Sequence, residues 1–467
     1  MKRPTVFGRR PSAFSLRPSG IAVASIIVAG GLTGAAPAIC LLPSASGLQG
    51  GRNSLQPSAF GLQGRIIPQT LSAADAAPQD SRTSALEHSG TSALRHVSTS
   101  AIASQTSREE LDATIDRLGA FDYDDRMKAA QVVRRAPGTV ALPALIDAAA
   151  GHADGFVRYR ALVLLSGYDD PRVPDQMEQA IGDVNDRLRA VAFAYLERHS
   201  EARLIPVMLK ALETESAEFV RPALLRALAV HGRDARVRTT LLKESGRGSE
   251  VARRALIEAF GDYKATYAQP ALAGLAQADG LLRGPAMLAL GKLGDPASAA
   301  LLAGARPTAS REVLPELAAA LCLVGQDCQT QRDFLMTSIT VPDRTPGGQD
   351  LPRLAAAALG ALAALDDLAA ARSLLDAGVA ATDPTRASIA PALARTAIRK
   401  PALVVTLLAD RPDRDQALQL LRAGFERLDD DLSSELFFAA LRQQYHEAPD
   451  GSSKRMATQA AISALEY

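Results

Sequence analysis

Small and aliphatic side chains recur along the chain at helical spacing, and the stripe they form restarts at a near-constant interval. From the phrase DGFVRYRAL at residues 154–162 onward, Val157, Ala161, Leu164 and Leu165 fall on one face. Offsets of three, four and seven residues place side chains on one side of an α-helix. Leu188, Ala192 and Leu196 draw the same face again, as do Val220, Leu224 and Leu228. The aliphatic residues that open successive stripes are Val157, Leu188, Val220, Val251, Leu282 and Val313, separated by 31, 32, 31, 31 and 31 positions. Met127 opens a copy 30 residues before Val157. A period of roughly 20 to 50 residues marks arrays in which each unit buries its apolar face only against its neighbours.

A second helical stretch precedes each stripe: TVALPALIDAAA, RVPDQMEQAI and ARLIPVMLKAL. Pro143, Pro174 and Pro206 each lie 14 residues before the opening aliphatic. They sit early in this first helix, where a missing amide donor costs least. The unit is therefore two helices. The pattern predicts an all-α chain, an α-solenoid of about 10–11 helix pairs over residues 107–467. The paired helices stack side by side, each unit burying its apolar face against its neighbours.

The two-helix unit of about 31 residues, the phrases DPRVPDQMEQAI and DRLRAVAFAYL, and an acid followed by a base at the head of the second helix resemble the HEAT-like repeats. That family includes the subgroup first described in phycobilisome lyases. The resemblance runs from about Ser107 to the C-terminus and is specific for architecture rather than activity. It implies an α-α superhelix acting as a non-enzymatic, protein-binding scaffold whose second helices line a concave groove. Arg160, Phe193 and Tyr195, on second helices, are then possible partner contacts. Two other functions follow from relatives: attachment of bilins to cysteines, and DNA glycosylase activity. The second requires a basic groove with aromatic side chains, and this chain has no Trp.

Charge changes the picture little. The net formal charge is +1, but residues 1–105 hold nine Lys/Arg and three Asp/Glu, leaving 43 basic against 48 acidic residues beyond. An acidic array is a poor partner for a phosphate backbone.

The N-terminus departs from the array. Lys2, Arg3, Arg9, Arg10 and Arg17 precede an uncharged apolar stretch over residues 20–42, with Ala36 and Ala38 in an A-x-A arrangement. A basic head, an apolar middle and a small-residue site describe an export signal over residues 1–38, cleaved after Ala38. The alternative is an uncleaved membrane anchor reaching to about residue 42. With the look of this leader, the resemblance to the HEAT-like family implies the envelope of a bacterial cell, with the array in the periplasm or anchored at the membrane. Residues 39–106 repeat short phrases such as PSASGLQG, PSAFGLQG and TSALEHSG. Such composition buries too little apolar surface to offset chain entropy, and it reads as a disordered linker.

Order is expected from Ser107, where SREE resembles a capping box. Between Val313 and the next unit near Leu351 the interval lengthens to about 40 residues. The excess falls in a loop insertion over residues 340–350, the position where a scaffold could carry contact residues.

The polar patterns are weighed last. Asp124 with Lys128, Asp154 with Arg158, Asp186 with Arg189, Glu218 with Arg221 and Asp279 with Arg283 recur at the head of second helices. The spacing predicts caps and pairs within each helix, the alternative being a charge ladder for a ligand. His88, His96, His152, His199, His231 and His446 show no metal-ligand spacing. Neither a phosphate loop nor a G-x-S-x-G elbow occurs. No catalytic, metal or cofactor residues are assigned. Cys322 and Cys328, separated by LVGQD, are placed to form a disulfide if the chain turns back between them, or else remain reduced and half-buried.

Overall fold

Ser107 opens the structured array: its hydroxyl accepts from the Glu110 amide while the Glu110 carboxylate accepts from the Ser107 amide, the reciprocal box expected from SREE. The structure, a computed structural model, describes residues 107–341, 348–428 and 430–465. The export signal or anchor, the linker and most of the 340–350 insertion lie outside the described residues. Those described form twenty-two α-helices and no strand.

The helices alternate between an outer and an inner layer and pack in sequence-adjacent pairs, an arrangement compatible with a solenoid. Outer helices are α1 (Arg108–Asp116), α3 (Gly138–Gly151), α5 (Arg172–Ala180), α7 (Ile205–Thr214), α9 (Ala235–Ser245), α11 (Gln269–Gln277), α13 (Ala297–Ala305), α15 (Cys328–Thr340), α17 (Leu368–Ala380) and α19 (Pro401–Ala409). Inner helices are α2 (Tyr123–Arg135), α4 (Gly155–Leu165), α6 (Asp186–Arg198), α8 (Arg221–Ala229), α10 (Glu250–Asp262), α12 (Arg283–Leu293), α14 (Leu314–Leu323), α16 (Leu351–Ala363), α18 (Thr385–Arg399) and α20 (Arg414–Leu428). The chain ends with α21 (Asp431–Glu447) and α22 (Ser453–Leu465). From α4 to α20 each inner helix packs on the next inner helix.

The stripes named above form this core. Val157, Ala161, Leu164, Leu165, Leu188, Ala192, Leu196, Val220, Leu224 and Leu228 are all buried. One position corrects the expected register: Val251 is 68% exposed, whereas Ala252 is 2% exposed and faces inward with Leu256. The helix begins at Glu250 behind the Ser249 cap, so its buried face starts one residue later than the aliphatic spacing suggested.

Inner helices approach unusually closely because glycine meets alanine at their crossings. A Cβ on Gly291 would lie 2.5 Å from Ala320 Cα, and one on Gly424 would meet the carbonyl of Ala390. Glycine is the residue that allows such backbone approach. Outer helices are spaced by Met177, Met208, Leu241, Leu272, Leu335 and Leu374, all buried. Close inner crossings and bulkier outer ones make each unit a wedge, and stacked wedges curl the array inward.

In three units the base does not pair with the acid at the head of its own helix as expected. Arg158 instead bonds Asp183, Arg189 bonds Glu215 in two-pronged fashion at 2.8 Å, and Arg221 bonds Glu244 at 2.9 Å. Each base thus straps its unit to an acid 23–26 residues further on. The carboxylate to reach is at the end of the following outer helix, closer to the guanidinium than its own helix-head acid. Asp279 with Arg283, at 3.3 Å, follows the expected spacing, and Asp154 caps α4 through the Phe156 amide.

Cys322 and Cys328 are joined as a disulfide, with Cα atoms 4.1 Å apart. The chain turns between the end of α14 and the start of α15, through Gly325 at φ +81°.

Candidate functional site

The groove is where the structure departs most from the sequence reading. The side chains placed there as possible contacts are not available. Phe193 is fully buried between helices, and Tyr195 is buried and stacked on His199 with ring centroids 4.1 Å apart. Arg160 does point into the groove but is spent on an internal ion pair, 2.5 Å from Asp431 of α21.

Helix α21 leaves the outer layer and lies in the groove against α4, α6 and α18. Its polar residues are matched to the N-terminal units. Asp431 accepts from the Tyr159 hydroxyl at 2.8 Å, Glu435 accepts from Arg134 at 2.7 Å, and the Arg134 guanidinium lies over the Phe438 ring. Leu432 is buried in the apolar core otherwise built from residues 111–321. Buried Arg160 and its Tyr159 neighbour hold the Asp431 carboxyl below its usual range against the desolvation that raises it. This end of the groove is filled by the chain itself.

The other end is open. A cleft of about 450 Å³ lies on the inner face of α10, α12, α14, α16 and α18. The array curls enough that α18 meets α10 across it: Arg399 lies 3.0 Å from Asp262. Asp262 also takes Lys292 at 2.6 Å and Arg226 at 3.0 Å, and Arg226 continues to Glu197, which accepts from the Tyr263 hydroxyl. Burial alone would raise the Asp262 carboxyl, but Arg399, Lys292 and Arg226 overcome it and hold it far below the carboxylate range. Lys292 is pulled down from its ordinary value by burial.

The cleft floor is apolar, from Pro285, Leu288, Leu354 and Ala357. Its charged lining consists of Arg254, Arg353, Arg395 and Arg399, with Lys292 buried, and two carboxyl groups, Glu258 and Glu316. Arg254 reaches both, at 3.1 and 3.0 Å. Glu316 occupies the space a side chain on residue 284 would need, which Gly284 leaves free. Burial pushes Glu316 up to about 7, with Glu258 adding to the rise and Arg254 opposing it. Sequence reasoning missed this cleft because its charged members come one or two per helix, from five units.

Two other clusters are accounted for. Cys322, Cys328 and Asp367 bring possible ligand atoms within 4.8 Å of one another, but the sulfurs are bonded to each other and Asp367 is engaged by Arg332 at 2.9 Å. His152 bonds Asp116 at 2.9 Å, a bridge between neighbouring units. No described helix is long and apolar enough to cross a membrane.

No family model matches this chain, and no curated protein matches it. The fold and the cleft therefore stand alone in what they say about function.

Proposed function

We propose that the protein is an exported HEAT-like solenoid, a non-enzymatic scaffold of the bacterial cell envelope that binds a protein partner through the open end of its groove. The carrying observation is the cleft itself: five successive inner helices present an apolar floor with a charged rim, beside a groove segment already occupied by α21. A concave apolar surface with a few convergent polar groups is the usual form of a binding site. The helical pairs at a 31-residue period support the HEAT-like assignment. The Cys322–Cys328 disulfide supports export, since such bonds persist in oxidising compartments.

The test is affinity capture from envelope fractions with the full chain and with Ala357→Trp. Ala357 is exposed on the cleft floor, so the indole obstructs the cleft while leaving charge unchanged. Partner recovered by the parent chain and lost with Ala357→Trp supports the reading. Equal recovery by both, or recovery of nothing above background, overturns it.

A further inference from the structure

We propose that the open cleft is a docking site for an acidic segment of a partner protein, with Arg395 as its anchoring cation and Arg353 as the second. This rests on the scaffold reading and names the chemistry of the same cleft.

The argument begins with the pairing of charges. Lys292 and Arg399 share Asp262, and Arg254 spans Glu258 and Glu316. Among the described residues Arg353 forms an ion pair only with Asp350, three residues before it, and its side chain remains 61% exposed. Arg395 makes no ion pair or hydrogen bond among the described residues, and it sits in the cleft with Arg353, Arg399 and Arg254 around it. Desolvation by the cleft walls pulls its guanidinium below the ordinary arginine value; Glu258 opposes this, and Arg353, Arg399 and Arg254 outweigh that single carboxylate and add to the depression. Clustered like charge of this kind is relieved by a ligand that brings negative charge.

This excess does not follow from composition, because residues beyond 105 carry more acid than base. A cationic cleft in an acidic array directs an anion to one place and repels it elsewhere. Guanidinium groups take carboxylates in two-pronged fashion, with a geometric match that ammonium lacks. The apolar floor of Leu288, Leu354 and Pro285 lies beneath the rim and suits the methylenes of Glu or an intervening Leu. A free phosphate would use the rim and leave the floor bare. A nucleic-acid strand requires a basic track longer than one cleft, and the residues beyond 105 carry more acid than base in all.

The experiment is fluorescence anisotropy with the full chain and a fluorescein-labelled peptide of alternating Glu and Leu. The expected result is saturable binding of this peptide and none of the Lys/Leu counterpart. Arg395→Ala should weaken it by about tenfold or more, the loss expected for a charge-assisted contact. Arg353→Ala should weaken it several-fold, while Arg236→Ala on outer helix α9 leaves it unchanged. Arg395→Gln, which removes the charge but keeps the aliphatic stem and a polar end, must show the same loss, so that a folding defect in Arg395→Ala does not decide the matter. Unchanged affinity in both Arg395 variants overturns the inference, as does an equal loss with Arg236→Ala. Displacement by inorganic phosphate at low millimolar concentration makes the cleft a small-anion site and overturns the peptide assignment. Tighter binding of a single-stranded DNA oligonucleotide does the same. In the capture experiment, a partner lost with Ala357→Trp but retained with Arg395→Ala leaves the scaffold reading standing and removes this one.

Discussion

Glu435 of α21 accepts the Nε–H of Arg134 of α2 at 2.7 Å, 301 positions away, with both side chains almost wholly shielded from water (1% and 6% exposed). Two charges withdrawn from solvent are tolerable only while each is matched. Arg442 adds a second contact to the same carboxylate at 3.1 Å. The pair therefore tethers the end of the array to its beginning, and α21 occupies one part of the groove as a permanent element of the fold.

Removing one partner should be far worse than removing both. Glu435→Ala removes the buried carboxylate that Arg134 and Arg442 share and is expected to cost about 3–5 kcal/mol, while Arg134→Ala leaves that carboxylate to Arg442 alone and should cost less. Arg134→Met combined with Glu435→Leu should recover most of that loss. Chemical denaturation of the two single variants and the double variant measures the coupling, and simple additivity would contradict it.

The Gly291–Ala320 crossing should control curvature. Any side chain at 291 must push α12 away from α14, because its Cβ alone would lie 2.5 Å from Ala320 Cα. Gly291→Val is expected to destabilise by about 1–3 kcal/mol, the usual cost of overpacking. Small-angle X-ray scattering should also show a larger radius of gyration. A stable variant of unchanged size would show that the crossing does not set the curl.

The register of α10 can be tested by charge. Val251→Asp places a carboxylate in solvent and should change stability by less than about 0.5 kcal/mol. Ala252→Asp buries one without a partner and should cost several kcal/mol. Thermal melts of the two variants check the order.

Glu316 predicts a pH dependence with a definite sign. Its carboxyl is raised from 4.5 to about 7 by burial, so the folded chain holds that proton more tightly than the unfolded chain. The stabilisation is complete below 4.5 and is lost as pH rises through about 7, up to about 3 kcal/mol. The groups facing it are Arg254 and Glu258 from α10 and Lys292 from α12. Glu316→Gln should flatten this part of the stability profile, measured by urea denaturation across that window.

Reduction should weaken the junction of α14 and α15. The Cys322–Cys328 bond closes a short loop, with a sequence separation of 6, and a loop of that size contributes about 2 kcal/mol through the unfolded chain. Cys322→Ser with Cys328→Ser should lose this amount, and added reductant should then have no further effect on the midpoint.

How much of this was legible can be seen residue by residue. Ser107 and Glu110 were readable as a cap because four consecutive residues carry the whole signal. Val157, Leu188 and Val220 were readable as core because helical spacing defines a face locally. Val251 misled because a shift of one residue in a helix start moves the buried face, and an adjacent Ala, equally able to pack inward, carries no hydrophobic mark. Arg158, Arg189 and Arg221 misled because acids near in sequence and acids near in space were both present. Only the positions of neighbouring helices chose between them.

What the chain determines by itself is the unit: paired helices, their caps, their buried stripes and the thirty-one-residue beat, all consequences of contacts within or between adjacent turns. The tertiary structure decided where units distant in sequence meet, placing Glu435 on Arg134, Arg399 on Asp262 and the five cations around one cleft. The physical reason is that these meetings depend on curvature summed over many wedge-shaped units. Each wedge depends on how closely Gly and Ala allow inner helices to approach, and no local pattern reports that sum.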